Sequence, residues 1–123
     1  TRAVLLDSIM KFFVIGGGTG VYEYTMPSGV PMRTELAALY PNPGYRVMSI
    51  RYQLARASAV SLSLYDAAGR LVRTLADGVQ EPGYYMVSWD GQDDLGRKMP
   101  AGVYFVEFQT KDYNRVEKAI LLR

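Results

Sequence analysis

The sequence contains no cysteine and no histidine. Those two absences remove disulfide frameworks, thiolate nucleophiles, Cys/His zinc sites, haem ligation and imidazole general bases from what this chain supplies. No cofactor is expected, and no enzymatic activity. Charge of one sign is also lacking: 14 Lys and Arg stand against 12 Asp and Glu, for a formal net charge of +2. The signs are interspersed, as at Arg70, Arg73 and Asp77 or at Asp93, Asp94, Arg97 and Lys98. That pattern describes a solvated surface, so no nucleic-acid partner is expected despite a sequence pI of 8.9. Long hydrophobic runs are missing too. The most apolar early stretch, residues 4–15, holds Asp7, Ser8 and Lys11 and is too short and too polar to span a bilayer.

What is present fits one folded domain: 123 residues, 49% hydrophobic, 21% charged, with 12 Gly and 6 Pro. A chain of this size buries roughly two-thirds of the surface that its unfolded form exposes, so one core forms without staples. The sequence opens at Thr1 rather than Met, and is expected to be a processed product or a fragment, with any signal peptide upstream.

Hydrophobic period divides the chain. Leu5, Leu6, Ile9, Phe12 and Phe13 recur every three to four residues, with Asp7 and Lys11 at i,i+4, which predicts a short amphipathic helix. Gly16, Gly17 and Gly18 end it, and residues 16–44, rich in Gly and Pro around Val21-Tyr22-Glu23-Tyr24, read as a linker. The division expected is residues 1–38 as helix and linker, the end of a preceding domain or an assembly segment, and residues 39–123 as the folded module. From Met48 the period becomes two: Met48, Ile50, Tyr52 and Leu54, then Val60, Leu62 and Leu64, then Tyr85, Val87 and Trp89. Strands are also expected at residues 71–75, 103–109 and 116–122, with a seventh near residues 36–40. Short alternating strands between Gly-rich turns predict an all-β, immunoglobulin-like antiparallel sandwich of about seven strands, with Trp89 in its core.

Few signals carry chemistry. Gly16-Gly17-Gly18-Thr19-Gly20 looks like a dinucleotide loop, but the third glycine of the fingerprint would fall at Val21 and no helix can open there. Asp90, Asp93 and Asp94 are weak candidates for calcium; their spacing does not fit an EF-hand loop, and Asx turns between strands account for them better. Glu81, Glu107 and Glu117 are scattered, without a pocket to tune an acid–base pair. Arg46 beside Tyr45 and Arg51 beside Tyr52 form no basic stripe.

An ordered series of motifs remains: Tyr40-Pro41-Asn42-Pro43, Ile50-Arg51-Tyr52-Gln53-Leu54, Val60-Ser61-Leu62-Ser63-Leu64-Tyr65-Asp66, Gly69-Arg70-Leu71-Val72, Pro82-Gly83-Tyr84-Tyr85, Trp89-Asp90-Gly91, Gly102-Val103-Tyr104-Phe105-Val106 and Lys118-Ala119-Ile120-Leu121-Leu122-Arg123. Over residues 39–123 this series resembles the C-terminal sorting domains of type IX secretion cargo and the similar immunoglobulin-like domain of the flagellar hook-capping protein. The family commonly continues the Tyr-Pro-Asn-Pro motif with Phe, where this chain has Gly44. The resemblance implies a non-catalytic address and surface anchor, read by the outer-membrane secretion machinery. Its bearer would be secreted to the extracellular space or cell surface after transit through the periplasm. The implied signal residues are Gly102, Val103 and Tyr104 together with Lys118, Ala119, Ile120, Leu121, Leu122 and Arg123.

Two other classes compete with that reading. A structural or adhesive subunit, including one that builds a surface filament, would use Leu5, Leu6, Ile9, Phe12 and Phe13 for self-association into a homo-oligomer. An accessory carbohydrate- or metal-binding module would use Trp89 and the tyrosines, which core and rim packing explains better.

Overall fold

The computed structural model describes residues 9–16, 20–27 and 29–123, with side chains from residue 29 onward. Among the described residues, nine strands follow in chain order: β1 (Ile9–Gly16), β2 (Gly20–Pro27), β3 (Glu35–Tyr40), β4 (Met48–Leu54), β5 (Ser58–Asp66), β6 (Leu71–Gln80), β7 (Gly83–Trp89), β8 (Gly102–Gln109) and β9 (Asn114–Leu121). Strands β3 to β9 form two antiparallel sheets, one ordered β3-β4-β7 and the other β6-β5-β8-β9. The expected seven-stranded all-β sandwich is therefore the observed one.

Its register follows from the alternation in the sequence. Met48, Ile50, Tyr52 and Leu54 are all buried on one face of β4, while Ser49, Arg51 and Gln53 between them are half-buried. A slip of one residue would exchange those two sets, so burial of one face fixes the pairing. The opposing sheet contributes Leu62, Leu64, Val106, Phe108, Ala119 and Leu121 to the same core. Aromatic rings join the two layers: Tyr52 lies 4.8 Å from Phe108 and stacks at 5.1 Å on Tyr85. Trp89, fully buried as expected, meets Tyr104 edge-on at 5.2 Å and donates its indole N–H to the Gln92 carbonyl at 2.8 Å. Each such side chain contributes about 1.5 to 3 kcal/mol through burial, before ordering costs.

Strand β3 joins the sandwich from its first residues. Leu36 is in the core, and its N–H donates to the Tyr113 hydroxyl at 3.3 Å, tying the strand to the β8–β9 turn. The boundary expected at residue 39 thus falls inside β3.

The helix expected near the N-terminus is corrected over its described part. Residues 9–16 form β1, which pairs with β2 from Ile9 opposite Pro27 to Gly16 opposite Gly20. The three-to-four spacing of Ile9, Phe12 and Phe13 is real, but Phe12-Phe13-Val14-Ile15 is an aromatic and β-branched run that favours a strand. Val21-Tyr22-Glu23-Tyr24 supplies a matching partner. Leu5 and Leu6 lie outside the described residues.

Candidate functional site

The two segments singled out by the sequence meet at one end of the four-stranded sheet. Gly102, Val103 and Tyr104 pair directly with Leu121, Ile120 and Ala119. Alternation sends the members of this ladder to opposite sides. Tyr104, Ala119 and Leu121 face inward and are buried in the core. Burial pushes the Tyr104 phenol above its ordinary pKa, and its hydroxyl donates to the Pro100 carbonyl.

Outward lie Val103 and Ile120, followed one pair further along by Phe105 and Lys118. The register continues this row across the sheet, setting Tyr65 opposite Phe105 and Leu71 opposite Tyr65. Val103 is 38% exposed and Leu71 54% exposed. Toward the other end the outer positions are mixed: Ser63, Glu107, Ser61, Gln109 and Asn114 are polar, while Val116 opposite Glu107 and Val79 opposite Ala59 are apolar and exposed.

The outer edge of β9 is covered by the segment that leads into β4. Asn42 donates from Nδ2 to the Lys118 carbonyl at 2.8 Å and accepts the Ile120 N–H on Oδ1 at 2.9 Å. Gly44 continues the cover, donating to the Ile120 carbonyl at 2.9 Å and accepting from the Leu122 N–H at 2.7 Å. A Cβ at Gly44 would stand 2.8 Å from the Pro41 carbonyl oxygen, so the close approach needs glycine. Arg123 completes the clasp, donating from Nε to the Met99 carbonyl at 2.6 Å and from a terminal nitrogen to the Gly91 carbonyl at 2.9 Å. An uncovered edge strand invites pairing with another chain, and here half of it is closed.

The acidic loop is built as turns. Asp93 accepts the N–H groups of Leu95 at 2.9 Å and Arg97 at 2.8 Å on one oxygen, and Nε of Arg97 at 2.8 Å on the other. Asp66 repeats the pattern with Ala68, Arg70 and Nε of Arg70 at 3.0, 2.9 and 2.9 Å. The Arg97 and Arg70 backbone amides, as the largest cause, hold the two carboxyls below the usual carboxylate range. Asp90 accepts from Arg73 at 2.7 Å, and Asp94 from the Thr74 N–H at 3.2 Å. These carboxylates point to separate partners, and among the described residues no group of three or more acidic side chains converges on a metal position.

Sequence reasoning found the paired strand ends and missed what surrounds them. The shared Asp-x-x-Gly-Arg spacing of residues 66–70 and 93–97 was a readable sign of twin turns. Nothing local marked Asn42 as a strand substitute, nor Tyr65 and Leu71 as neighbours of Phe105. Among the N-terminal candidates, Ile9, Phe12 and Phe13 stand opposite Pro27, Tyr24 and Glu23 in the β1–β2 ladder. Among the described residues no helix is long and apolar enough to cross a membrane.

Comparison with known proteins places this arrangement. Among solved structures, the fold is similar to dimeric latent PorU from Porphyromonas gingivalis, with a TM-score of 0.57 and 20% identity, covering 84% of this chain and 10% of that one. It is also similar to PorZ of the same organism, described as an essential bacterial surface component of the type-IX secretion system, with a TM-score of 0.53 and 19% identity over 95% of this chain and 15% of that one. The chain therefore spans a small part of either protein. No curated protein sequence matches it. Residues 43–113, more than half of the chain, match the family described as the FlgD Ig-like domain. These residues run from the clasp at Gly44 to the β8–β9 turn, and with the sandwich around them they establish that the chain belongs to the FlgD Ig-like domain family.

Proposed function

We propose that this chain is a non-catalytic sorting and surface-anchoring module at the C-terminal end of an exported bacterial protein, read by the outer-membrane secretion machinery. The observation that carries the reading is the meeting of Gly102, Val103 and Tyr104 with Ala119, Ile120 and Leu121 in one ladder, with Val103, Ile120 and Phe105 on its solvent side. Inward side chains of this ladder are consumed by the core, so a receptor meets a folded sheet face rather than a loose tail. The fold likeness to PorZ, a surface component of a type IX system, supports the same direction. Absence of His and Cys supports a module without catalysis. In this reading the bearer crosses the periplasm and ends outside the cell or on its surface.

The experiment fuses the complete chain to the C-terminus of a periplasmic reporter, in a bacterium with a type IX system. Surface appearance of the reporter is expected, with loss on Val103→Glu or Ile120→Glu while the purified domain still melts cooperatively. Export that is absent from the parent fusion, or untouched by either substitution, defeats the reading.

A further inference from the structure

The outer edge of β9 is closed toward its C-terminal end and open toward its start. Ile120 engages the Asn42–Gly44 segment through both its N–H and its C=O, and Lys118 engages it through its C=O. Backbone groups along an antiparallel strand alternate in direction, so the Lys118 N–H and both groups of Val116 and of Asn114 point the same way, off the sheet and away from β8. Among the described residues no hydrogen-bond partner meets the Lys118 N–H or either group of Val116. A free edge of this kind is a template for an extended backbone.

The open stretch, Asn114-Arg115-Val116-Glu117-Lys118, is its own complement. Turned antiparallel about Val116, a second copy sets its Glu117 opposite Arg115 and its Arg115 opposite Glu117. Val116 then meets Val116 of the second copy as a hydrogen-bonded pair that exchanges both main-chain bonds, and each Lys118 N–H reaches the Asn114 carbonyl of the other copy. The Arg–Glu positions become the non-hydrogen-bonded pairs, where side chains approach most closely and opposite charges stabilise. Within one chain Arg115 and Glu117 already lie on the same side, 2.6 Å apart and both reaching solvent. Moving the axis to Arg115 sets arginine against arginine, and moving it to Glu117 sets glutamate against glutamate, so charge selects the Val116 register. Beyond Lys118 the Asn42 side chain occupies the edge and ends the ladder.

We propose that two copies of this chain pair β9 to β9, antiparallel through Asn114–Lys118 and two-fold about Val116, joining their four-stranded sheets into one of eight strands. The contact uses the same patch on both copies and closes on itself, so it yields a dimer and not a fibre. Two five-residue strands bury less than the roughly 1,200 Å² of a standard interface, so the dimer is weak and forms as concentration rises. The association needs no secretion machinery, so it stands independently of the sorting role.

Charge exchange tests the partner and the register together. Sedimentation of the full chain should show mass rising with concentration toward the dimer. Arg115→Glu and Glu117→Arg each set like charges against one another in the homodimer, and each should stay monomeric at the same concentrations, with native Trp89 fluorescence. An equimolar mixture of the two variants restores both opposite-charge pairs and should associate, as should the chain carrying both substitutions. Absence of cysteine from the sequence allows a second measurement. Val116→Cys sets two thiols across Cα atoms about 5.5 Å apart, within disulfide reach, and should form disulfide dimers under mild oxidation several-fold faster than Val79→Cys, at an exposed position of β6. A monomer at every concentration, association undiminished by both single substitutions, a mixture no more associated than its components, or equal oxidation rates would overturn the proposal.

Discussion

Asn42 acts on Ile120 as a neighbouring strand would. Its side-chain amide accepts the Ile120 N–H at 2.9 Å and, from its other atom, donates to the Lys118 carbonyl two residues earlier at 2.8 Å. A single side chain thereby satisfies two backbone groups on the edge of a sheet whose last strand would otherwise offer them to solvent or to another chain.

Asn42→Ala should therefore cost about 1 to 3 kcal/mol, the net contribution of two hydrogen bonds, and should raise aggregation by opening the edge. Asn42→Asp retains the acceptor for Ile120 but sets a carboxylate oxygen against the Lys118 carbonyl, so it should rescue only part of the loss. Denaturant titration gives the cost, and amide exchange at Ile120 localises it. Unchanged protection of that amide in Asn42→Ala would show that the Asn42 side chain is not what closes the edge there.

Trp89→Ala should destabilise the domain by about 3 to 5 kcal/mol, as other large-to-small core changes do. The indole is fully buried, packs on Tyr104 and satisfies its N–H at the Gln92 carbonyl, so the cavity would also orphan an acceptor in the loop after β7. Native emission should be blue-shifted and insensitive to iodide. An emission maximum like that of free tryptophan would place the ring in water and contradict the packing.

The strands were legible because each buries one face and so writes its period into the sequence: Met48, Ile50, Tyr52 and Leu54 read as a strand without help from any partner. Pairing across distance is written more faintly. The β1–β2 hairpin hid behind a spacing of Ile9, Phe12 and Phe13 that also suits a helix, and only the partner residues 21–24 decide between them. Asn42 lay between two prolines in what read as a linker, and its role depends on Ile120, which is 78 residues away. The outer apolar row was invisible for the same reason, since Leu71, Tyr65, Phe105 and Ile120 come from four strands.

Acid should expose the twin turns. Asp66 and Asp93 are held below the usual carboxylate range, so the unfolded chain takes up protons at these positions at a higher pH than the folded chain. Their contribution is present above the unfolded aspartate value of about 3.9 and is lost as pH falls through the lower folded values. Asp66→Asn with Asp93→Asn should lower the melting temperature at neutral pH and flatten its fall in acid. Acid limbs of equal steepness in the parent and the double variant would assign the acid sensitivity to other carboxyls.

Gly91 and Arg123 should be coupled. Gly91 sits at φ 79°, and a Cβ there would come within 2.9 Å of the Arg123 guanidinium that donates to the Gly91 carbonyl. Gly91→Ala meets two costs: the left-handed backbone, about 1 to 2 kcal/mol for a residue with a Cβ, and displacement of the guanidinium from its carbonyl. Arg123→Ala removes the second before it can be incurred. Gly91→Ala should accordingly cost less in the Arg123→Ala background than in the parent, by at least about 0.5 kcal/mol, the usual threshold for contacting residues in a double-mutant cycle. Denaturant unfolding of the four proteins supplies the cycle. Additive costs would mean that the guanidinium swings aside freely and that its bonds to Met99 and Gly91 do little to hold the end of β9.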